Sequence, residues 1–373
     1  MSWVDWLLAL GCLVLSVRGG FFLVGAWRQW RRLCRSDSGQ RWSPTVSVVI
    51  PARNEEQTIA RCVHSVMACA YPHFEVIVVD DNSSDGTAAV LGQLRVQYGD
   101  RLRIERRSGE AASPNLQGKA GALHAGIERA RGEILLFTDA DCRVPPSWID
   151  SMVAPFRDPT VGFVAGATLV EGNSFFARLQ SAEWLLLGMA GSAAVGWGQA
   201  LGCFGTNLAV RARAYWETGG YAQIPFSVTE DLALQQAIVR LGWRQHYLIA
   251  PEVLVTTLPV PTLRDRLRQL RRWGRGGLML GTWALAFVCT TLLFWGAVLA
   301  GASTGHWLGV AGILTLRLAI EGALGIFGVA LLRQWQLVPV VLLAVLWLAV
   351  IELVLPFLVL MRSRIHWKGR SLR

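Results

Sequence analysis

The sequence predicts an α/β domain built on a mostly parallel, doubly wound sheet, with helical membrane-spanning segments on both sides of it. Three observations carry that expectation. Short β-branched runs alternate with helical patterns across residues 43–260, long apolar stretches flank that block, and acidic motifs follow three of its strand candidates. Strand–helix alternation implies parallel strands joined by crossover helices. Of the 373 residues, 53% are hydrophobic and 17% charged, against about 25% charged in a soluble domain. That balance argues against a purely soluble chain and excludes a disordered one.

Residues 1–27 read as an N-terminal transmembrane helix, its apolar run interrupted at Arg18-Gly19-Gly20. No charged region precedes the run and no clear small-residue cleavage site follows it, which weakens a signal-peptide reading. Residues 28–42 form a basic juxtamembrane linker with Arg28, Arg31, Arg32 and Arg35. The positive-inside rule places this linker, and the domain after it, in the cytoplasm at the inner membrane of a multi-pass protein.

Within 43–260, the continuous apolar run at 46–50 suits a buried parallel strand. Ile59, Cys62, Val63, Val66 and Met67 then share one helical face. Further strands are expected at 75–80, 101–106 and 133–138. Residues 175–199 carry Phe176, Leu179, Ala182, Leu186 and Met189 on one stripe, as an interface helix or a buried core helix would. Residues 261–277 form an Arg-dense amphipathic helix suited to a membrane interface.

Residues 278–361 hold about three membrane segments, near 278–300, 307–331 and 337–361. The 41 residues of 276–316 contain no Asp, Glu, Lys or Arg, and a helix needs about 20 apolar residues to span a bilayer. Three full spans would leave the basic tail 362–373 outside, against the positive-inside rule, so one segment is expected to be re-entrant or interfacial. Arg317 and Glu321, four residues apart, can pair on one helix face, and Glu352 has no local partner in sequence. Intramembrane charges raise the idea of a transporter, which leaves the acidic motifs unexplained.

The net charge of +10 comes substantially from Arg beside the apolar segments. Anionic lipids account for that placement and no nucleic acid is needed. Only Lys119 and Lys368 are lysines. The seven cysteines are scattered without zinc spacing, so reduced thiols are expected.

The chemistry concentrates at strand ends, where open α/β sheets bind ligands. Pro51-Ala-Arg-Asn-Glu-Glu56 follows the first strand, Asp80-Asp81 opens the motif after the second, and Asp139-Ala-Asp141 follows the fourth. Any one of these could be turn or cap chemistry; three converging on one sheet edge suit a site. Paired carboxylates on a turn fit a hard divalent cation that also binds phosphate oxygens. Lys119, flanked by Gly118 and Gly121 at a helix start, favours phosphate.

These residues resemble the membrane-bound family 2 glycosyltransferases of GT-A fold. The matching motifs, in the family's order over about 46–275, are IPARNEE (50–56), VDDNSSDGT (79–87), GKAGALHAG (118–126), TDAD (138–141), TED (229–231) and QLRRW (269–273). The resemblance implies an inverting hexosyl- or N-acetylhexosaminyl-transferase using a nucleotide-diphosphate sugar, UDP-linked, with Mg²⁺ or Mn²⁺. It assigns Pro51, Arg53, Glu55 and Asp81 to the nucleoside, with Asp80 sharing that motif and the choice between the two open. Asp139 and Asp141 take the diphosphate and metal, and Lys119 also touches the donor. In the Glu230-Asp231 pair, Asp231 is the general base, an N-cap role being its plain alternative. Gln269, Arg272 and Trp273 line the donor and acceptor channel, and Gly205, Thr206 and Asn207 lie beside the acceptor.

For the acceptor, the membrane part is too small to make a good polymer channel. The ending His366-Trp-Lys-Gly-Arg370 resembles that of lipid-modifying members. A membrane lipid is therefore the expected acceptor, with a processive polysaccharide synthase as the alternative. The intact motifs speak against a non-catalytic binding protein, and oligomeric state is left open.

Overall fold

The structure, a computed structural model, describes residues 2–35, 42–107, 113–360, 365–367 and 370–372. In chain order it runs α1 (Trp3–Arg35), β1 (Val46–Ala52), α2 (Ile59–Met67), β2 (Phe74–Asp80), α3 (Thr87–Tyr98), β3 (Leu102–Arg106), α4 (Gly118–Arg129), β4 (Ile134–Phe137) and α5 (Trp148–Val153). It continues with β5 (Val161–Gly166), β6 (Thr168–Val170), α6 (Phe175–Gly196), β7 (Leu208–Arg211), α7 (Ala212–Glu217), α8 (Gly220–Gln223), α9 (Glu230–Arg240), β8 (Arg244–Leu248) and β9 (Val255–Thr257). The last elements are α10 (Leu263–Gly277), α11 (Thr282–Ser303), α12 (Trp307–Leu332), α13 (Val338–Leu360), β10 (Ile365–Trp367) and β11 (Arg370–Leu372). The chain divides into two units, one of residues 32–171, 202–258 and 363–373 and one of 1–31, 172–201 and 259–362.

The first unit is the α/β domain. Its seven-stranded sheet has the order β3-β2-β1-β4-β7-β5-β8. The first four strands are parallel and match the four expected ones. β7 runs antiparallel to both its neighbours, so the sheet is mixed. Strands β5 to β9 gave no distinct signal in a chain already rich in apolar residues; they are short, and β5, β6 and β7 are buried at every position. The expected apolar face of α2 is buried at all five positions. Gly126 of α4 lets the helix lie against the sheet, because a Cβ there would meet Val49 Cγ1 at 2.5 Å.

The second unit is helical. α1, α11, α12 and the segment 335–360 are each long and apolar enough to cross a membrane. The glycines at 19 and 20 do not interrupt α1, which runs on through Arg35, beyond the expected start of a linker at 28. Within this stretch Arg28 and Arg31 stack on Trp197 and Trp27. α11, α12 and α13 have 22, 26 and 23 residues at about 1.5 Å of rise per residue. Residues 361–364, 368–369 and 373 of the basic tail lie outside the described residues.

α6 is enclosed by its own unit, with most residues from Gln180 to Gly196 buried. It is a core helix packed on α12 and α13 rather than a surface helix of the α/β domain. Glu352 also differs from its sequence reading. It receives Arg317 Nη2 at 2.8 Å and Arg18 Nη1 at 3.6 Å, while Glu321 takes Arg317 Nε at 3.3 Å and pairs with Arg18. The partners come from α1 and α12, which no local spacing could reveal.

α1 and α6 approach backbone to backbone at two glycines. A Cβ on Gly196 would sit 1.9 Å from Gly25 O, whereas one on Gly296 of α11 meets nothing within 4 Å. Gly196→Val should lower the thermal unfolding midpoint in nanodiscs by a cost of about 1–3 kcal/mol or more from overpacking. Gly296→Ala should hold or raise it, helix propensity favouring Ala by about 1 kcal/mol.

Candidate active site

The order β3-β2-β1-β4 puts a topological switch between β1 and β4, with the carboxyl ends of β1, β2 and β4 at one edge. Two loops there interlock. Asn54 and Asn82 both take left-handed backbone, φ 53° and 58°, a conformation asparagine tolerates. Ser84 N–H donates to Asn54 Oδ1 at 2.8 Å and Asn54 N–H to Ser83 Oγ at 3.0 Å. Arg53 Nη1 donates to the carbonyls of Asp81 (2.6 Å) and Asn82 (3.0 Å). Glu55 N–H donates to Thr87 Oγ1 at 2.8 Å, and its carboxylate accepts from Thr58 Oγ1 at 2.7 Å. Pro51 lies within β1, in register with Val79.

Asp80 and Asp81 are both buried and divide their work. Asp80 Oδ1 accepts from Ser83 N–H at 3.0 Å and closes the turn. Asp81 Oδ1 pairs with Arg107 Nη1 at 3.0 Å, and Arg107 Nη2 donates to Leu116 O at 2.5 Å. Arg107 was missed in the sequence, where it is one arginine of an ordinary Arg106-Arg107 pair.

The centre of the site is Lys119, one residue into α4. Its Nζ lies 2.6 Å from Asp139 Oδ1 and 3.1 Å from Glu230 Oε1. Burial disfavours its charge, but the Asp139 and Glu230 carboxylates outweigh burial and raise its pKa. Among the described residues, no cation forms an ion pair with Asp231, which stands beside this group. Its Oδ2 accepts from Gly205 N–H at 2.7 Å and its Oδ1 from Leu232 N–H at 2.8 Å. Burial first, and the Glu230 charge second, push Asp231 up to about 6, with Lys119 pulling the other way. Thr229 occupies the N-cap position of α9, so Asp231 is not the cap. Gly205 packs tightly here: a Cβ would meet Lys119 Nζ at 2.9 Å and Asp231 Oδ2 at 3.2 Å.

Asp139 and Asp141 sit on the turn after β4, closed by Cys142 N–H to Asp139 O at 3.0 Å. Arg61 Nη2 and the Cys62 thiol brace the turn from below through the carbonyls of Asp141 (3.0 Å) and Asp139 (3.3 Å). Burial and the carboxylates raise the Cys62 pKa, leaving it a neutral donor. Among the described residues no group of three or more His, Cys, Asp and Glu side chains is gathered for a metal. Two carboxylates on one turn still fit Mg²⁺ or Mn²⁺, which take few protein ligands and fill the rest with phosphate oxygens and water. Lys119 on Asp139 balances only part of the negative charge assembled here.

The 205–207 segment is only partly what the sequence suggested. Gly205 touches the carboxylate cluster, but Thr206 Oγ1 is spent on Thr168 Oγ1 at 2.9 Å. Asn207 is fully buried; it donates to the carbonyls of Ala167 (2.7 Å) and Val253 (2.8 Å) and accepts from Trp148 Nε1 (2.9 Å). With its amide used in full, Asn207 is a structural residue rather than an acceptor contact.

Gln269, Arg272 and Trp273 belong to the helical unit, on α10. The Arg266 side chain one turn earlier, unremarked in the sequence among so many arginines, is completely buried and bonds Gln269 Oε1 while lying 4.8 Å over the Trp273 ring.

Comparison with known proteins follows these features. Residues 47–219 match the profile described as glycosyl transferase family 2, and residues 134–361 that of glycosyl transferase family group 2. A beta-monoglucosyldiacylglycerol synthase of Synechocystis sp. is 30% identical over 79% of this chain and 60% of its own. One of Trichormus variabilis is 31% identical over 63% of this chain and 49% of its own. The chain thus spans half to three fifths of the length of these curated relatives. The mannosyltransferase PcManGT of Pyrobaculum calidifontis, solved with GDP-Man and Mn²⁺, superposes with a TM-score of 0.58 at 22% identity, covering 93% of this chain and 99% of that one. The sheet, the strand-end carboxylates and the matched profiles lead to one conclusion: this chain belongs to the family 2 glycosyltransferases and has their GT-A fold.

Proposed function

We propose that the protein moves a sugar from a nucleotide-diphosphate sugar, UDP-linked, to the hydroxyl of a membrane lipid at the cytoplasmic face, with inversion. The observation that carries this is the geometry around Asp231. Two backbone N–H groups fix its carboxylate, burial brings it to about 6, and Lys119 pairs with Asp139 and Glu230. A base with a pKa near the working pH is suited to take a hydroxyl proton. Similarity to the glucosyldiacylglycerol synthases favours a lipid acceptor of diacylglycerol type, and the apolar helices keep the domain at a bilayer. Basic flanks such as Arg28, Arg31, Arg264 and Arg268 suit anionic headgroups.

In the reaction, Asp231 accepts the proton of the acceptor hydroxyl as its oxygen attacks the anomeric carbon. The bond to the diphosphate oxygen breaks on the opposite face. Lys119 offers its ammonium to the departing charge, and the 53–55 and 80–85 loops hold the nucleoside. Asp139 and Asp141 would hold Mg²⁺ or Mn²⁺, which supplies charge neutralisation to the diphosphate when bound.

The protein in lipid nanodiscs, given labelled nucleotide sugars and lipid extracts, should yield a discrete glycolipid of inverted configuration; a high-mass ladder would indicate polysaccharide extension instead. Asp231→Asn should fold and still bind donor while kcat falls by about 10²–10⁴-fold; substantial remaining turnover would remove Asp231 from the mechanism. Because the carboxylate is the active form, log kcat/KM should rise with pH up to about 6 and level off above it. Stripping divalent cations with a chelator should abolish transfer and weaken donor binding, and adding back Mg²⁺ or Mn²⁺ should restore both.

A further inference from the structure

We propose that Glu183 of α6 is a positioning residue that, through Arg266, sets the orientation of Gln269 and Trp273; the inference rests on the transferase reading, in which those two residues serve the donor and acceptor. Glu183 and Arg266 are each completely buried. Their contact is an ion pair in which Nε donates to Oε2 at 3.0 Å and Nη2 lies 2.7 Å from Oε1. Trp347 Nε1 of α13 donates to the same carboxylate at 3.2 Å. Held this way, the guanidinium has a fixed plane. Its remaining nitrogen, Nη1, bonds Gln269 Oε1, and its face covers the Trp273 ring at 4.8 Å.

The consequence for Gln269 is chemical. A guanidinium only donates, so it selects the amide oxygen. Gln269 must then turn its NH₂ the other way, as a donor for a ligand oxygen. Trp273 is fixed on a second side by Trp184, whose ring meets it edge-on at 5.4 Å and 70°. Gln180, Glu183 and Trp184, spaced i, i+3, i+4, form one face of α6. Gln180 completes it by accepting from Val260 N–H and donating to Val260 O, both at 3.1 Å, just before α10. A single face of α6 thus fixes the entry to α10, its buried arginine and its tryptophan.

Stability alone does not account for the pair. A desolvated ion pair commonly gains nothing over apolar residues of similar volume. A fixed, donor-only plane beside a glutamine gives what an apolar pair cannot, a defined amide orientation.

The test uses the full chain in nanodiscs and the charge-neutral double variant E183Q/R266M, because either single change strands a buried charge. Thermal melting checks the fold. Expected is a wild-type-like melt with kcat/KM for the nucleotide sugar reduced by about 10²-fold, the scale of a small misplacement of a site group. Q269A should reduce wild-type activity comparably, and should cost nothing further in the double-variant background. Near-wild-type activity in the folded double variant, or a full additional loss from Q269A, would overturn the proposal. If the double variant does not fold, R266K retains the charge without the planar fork and should show the same loss and the same non-additivity; additivity there overturns it equally. If the wild-type protein transfers no sugar to any acceptor, the transferase reading fails, and the positioning role is judged on hydrogen exchange of residues 263–277. Faster exchange in the variant supports it and unchanged exchange overturns it.

Discussion

One ammonium group organises the carboxylates of the α/β unit. Asp139, on the turn after β4, and Glu230, at the start of α9, are both paired to Lys119 Nζ. Asp231 next door accepts from the backbone N–H groups of Gly205 and Leu232. Like charges this close cannot all ionise without compensation. The unequal sharing of Lys119 separates the carboxylates into two kinds, those paired to the ammonium and the one whose proton affinity is raised by burial and the neighbouring Glu230 charge. The rest of the unit serves this arrangement. The switch between β1 and β4 gathers the strand ends, Gly205 admits a backbone donor where a side chain would collide, and the Cys62 thiol and Arg61 brace the turn from beneath.

α10 shows the same economy in the helical unit. Arg264, Arg268, Arg271 and Arg275 follow i, i+4, i+7, i+11 spacing along one side, while Arg266, Leu270 and Trp273 lie on the opposite side. Residues of one type therefore do two kinds of work on one helix, and burial alone separates them. Arg266 can be buried because Glu183, Gln269 and the Trp273 face together satisfy it; a lysine could not present a planar fork to three partners.

Much of this was legible in the sequence. The first four strands, the α2 face and the order of the motifs follow from local period and from polar residues at strand ends. Lys119 stood out because it is one of two lysines in the chain. What was not legible depends on distant contacts. Glu352 lacked a partner until Arg317 and Arg18 were brought to it from other helices. Asn207 resembled a site residue by type and neighbourhood, yet its amide is consumed by Ala167, Val253 and Trp148. Arg107 and Arg266 were hidden by the abundance of arginine, which erases the signal any one of them carries. β5 to β7 were hidden for the matching reason, apolar runs being unremarkable in so apolar a chain, while β8, Arg-Gln-His-Tyr-Leu, has no apolar run to find.

The four-residue charge group of α1, α12 and α13 bears on how the chain is made. Arg18 finds Glu321 across 303 residues of sequence, so α1 emerges from the ribosome long before either of its acidic partners exists. Lodging an arginine at the centre of an inserted helix costs about 2.5–3.5 kcal/mol. A spanning α1 would bear that cost alone until α12 and α13 are made, and Glu352 would impose a matching cost on a spanning α13. Each helix is a worse membrane segment by itself than in company. Their mutual neutralisation ties α1 to α12 and α13, since a spanning set that closed around other neighbours would leave a charge in hydrocarbon.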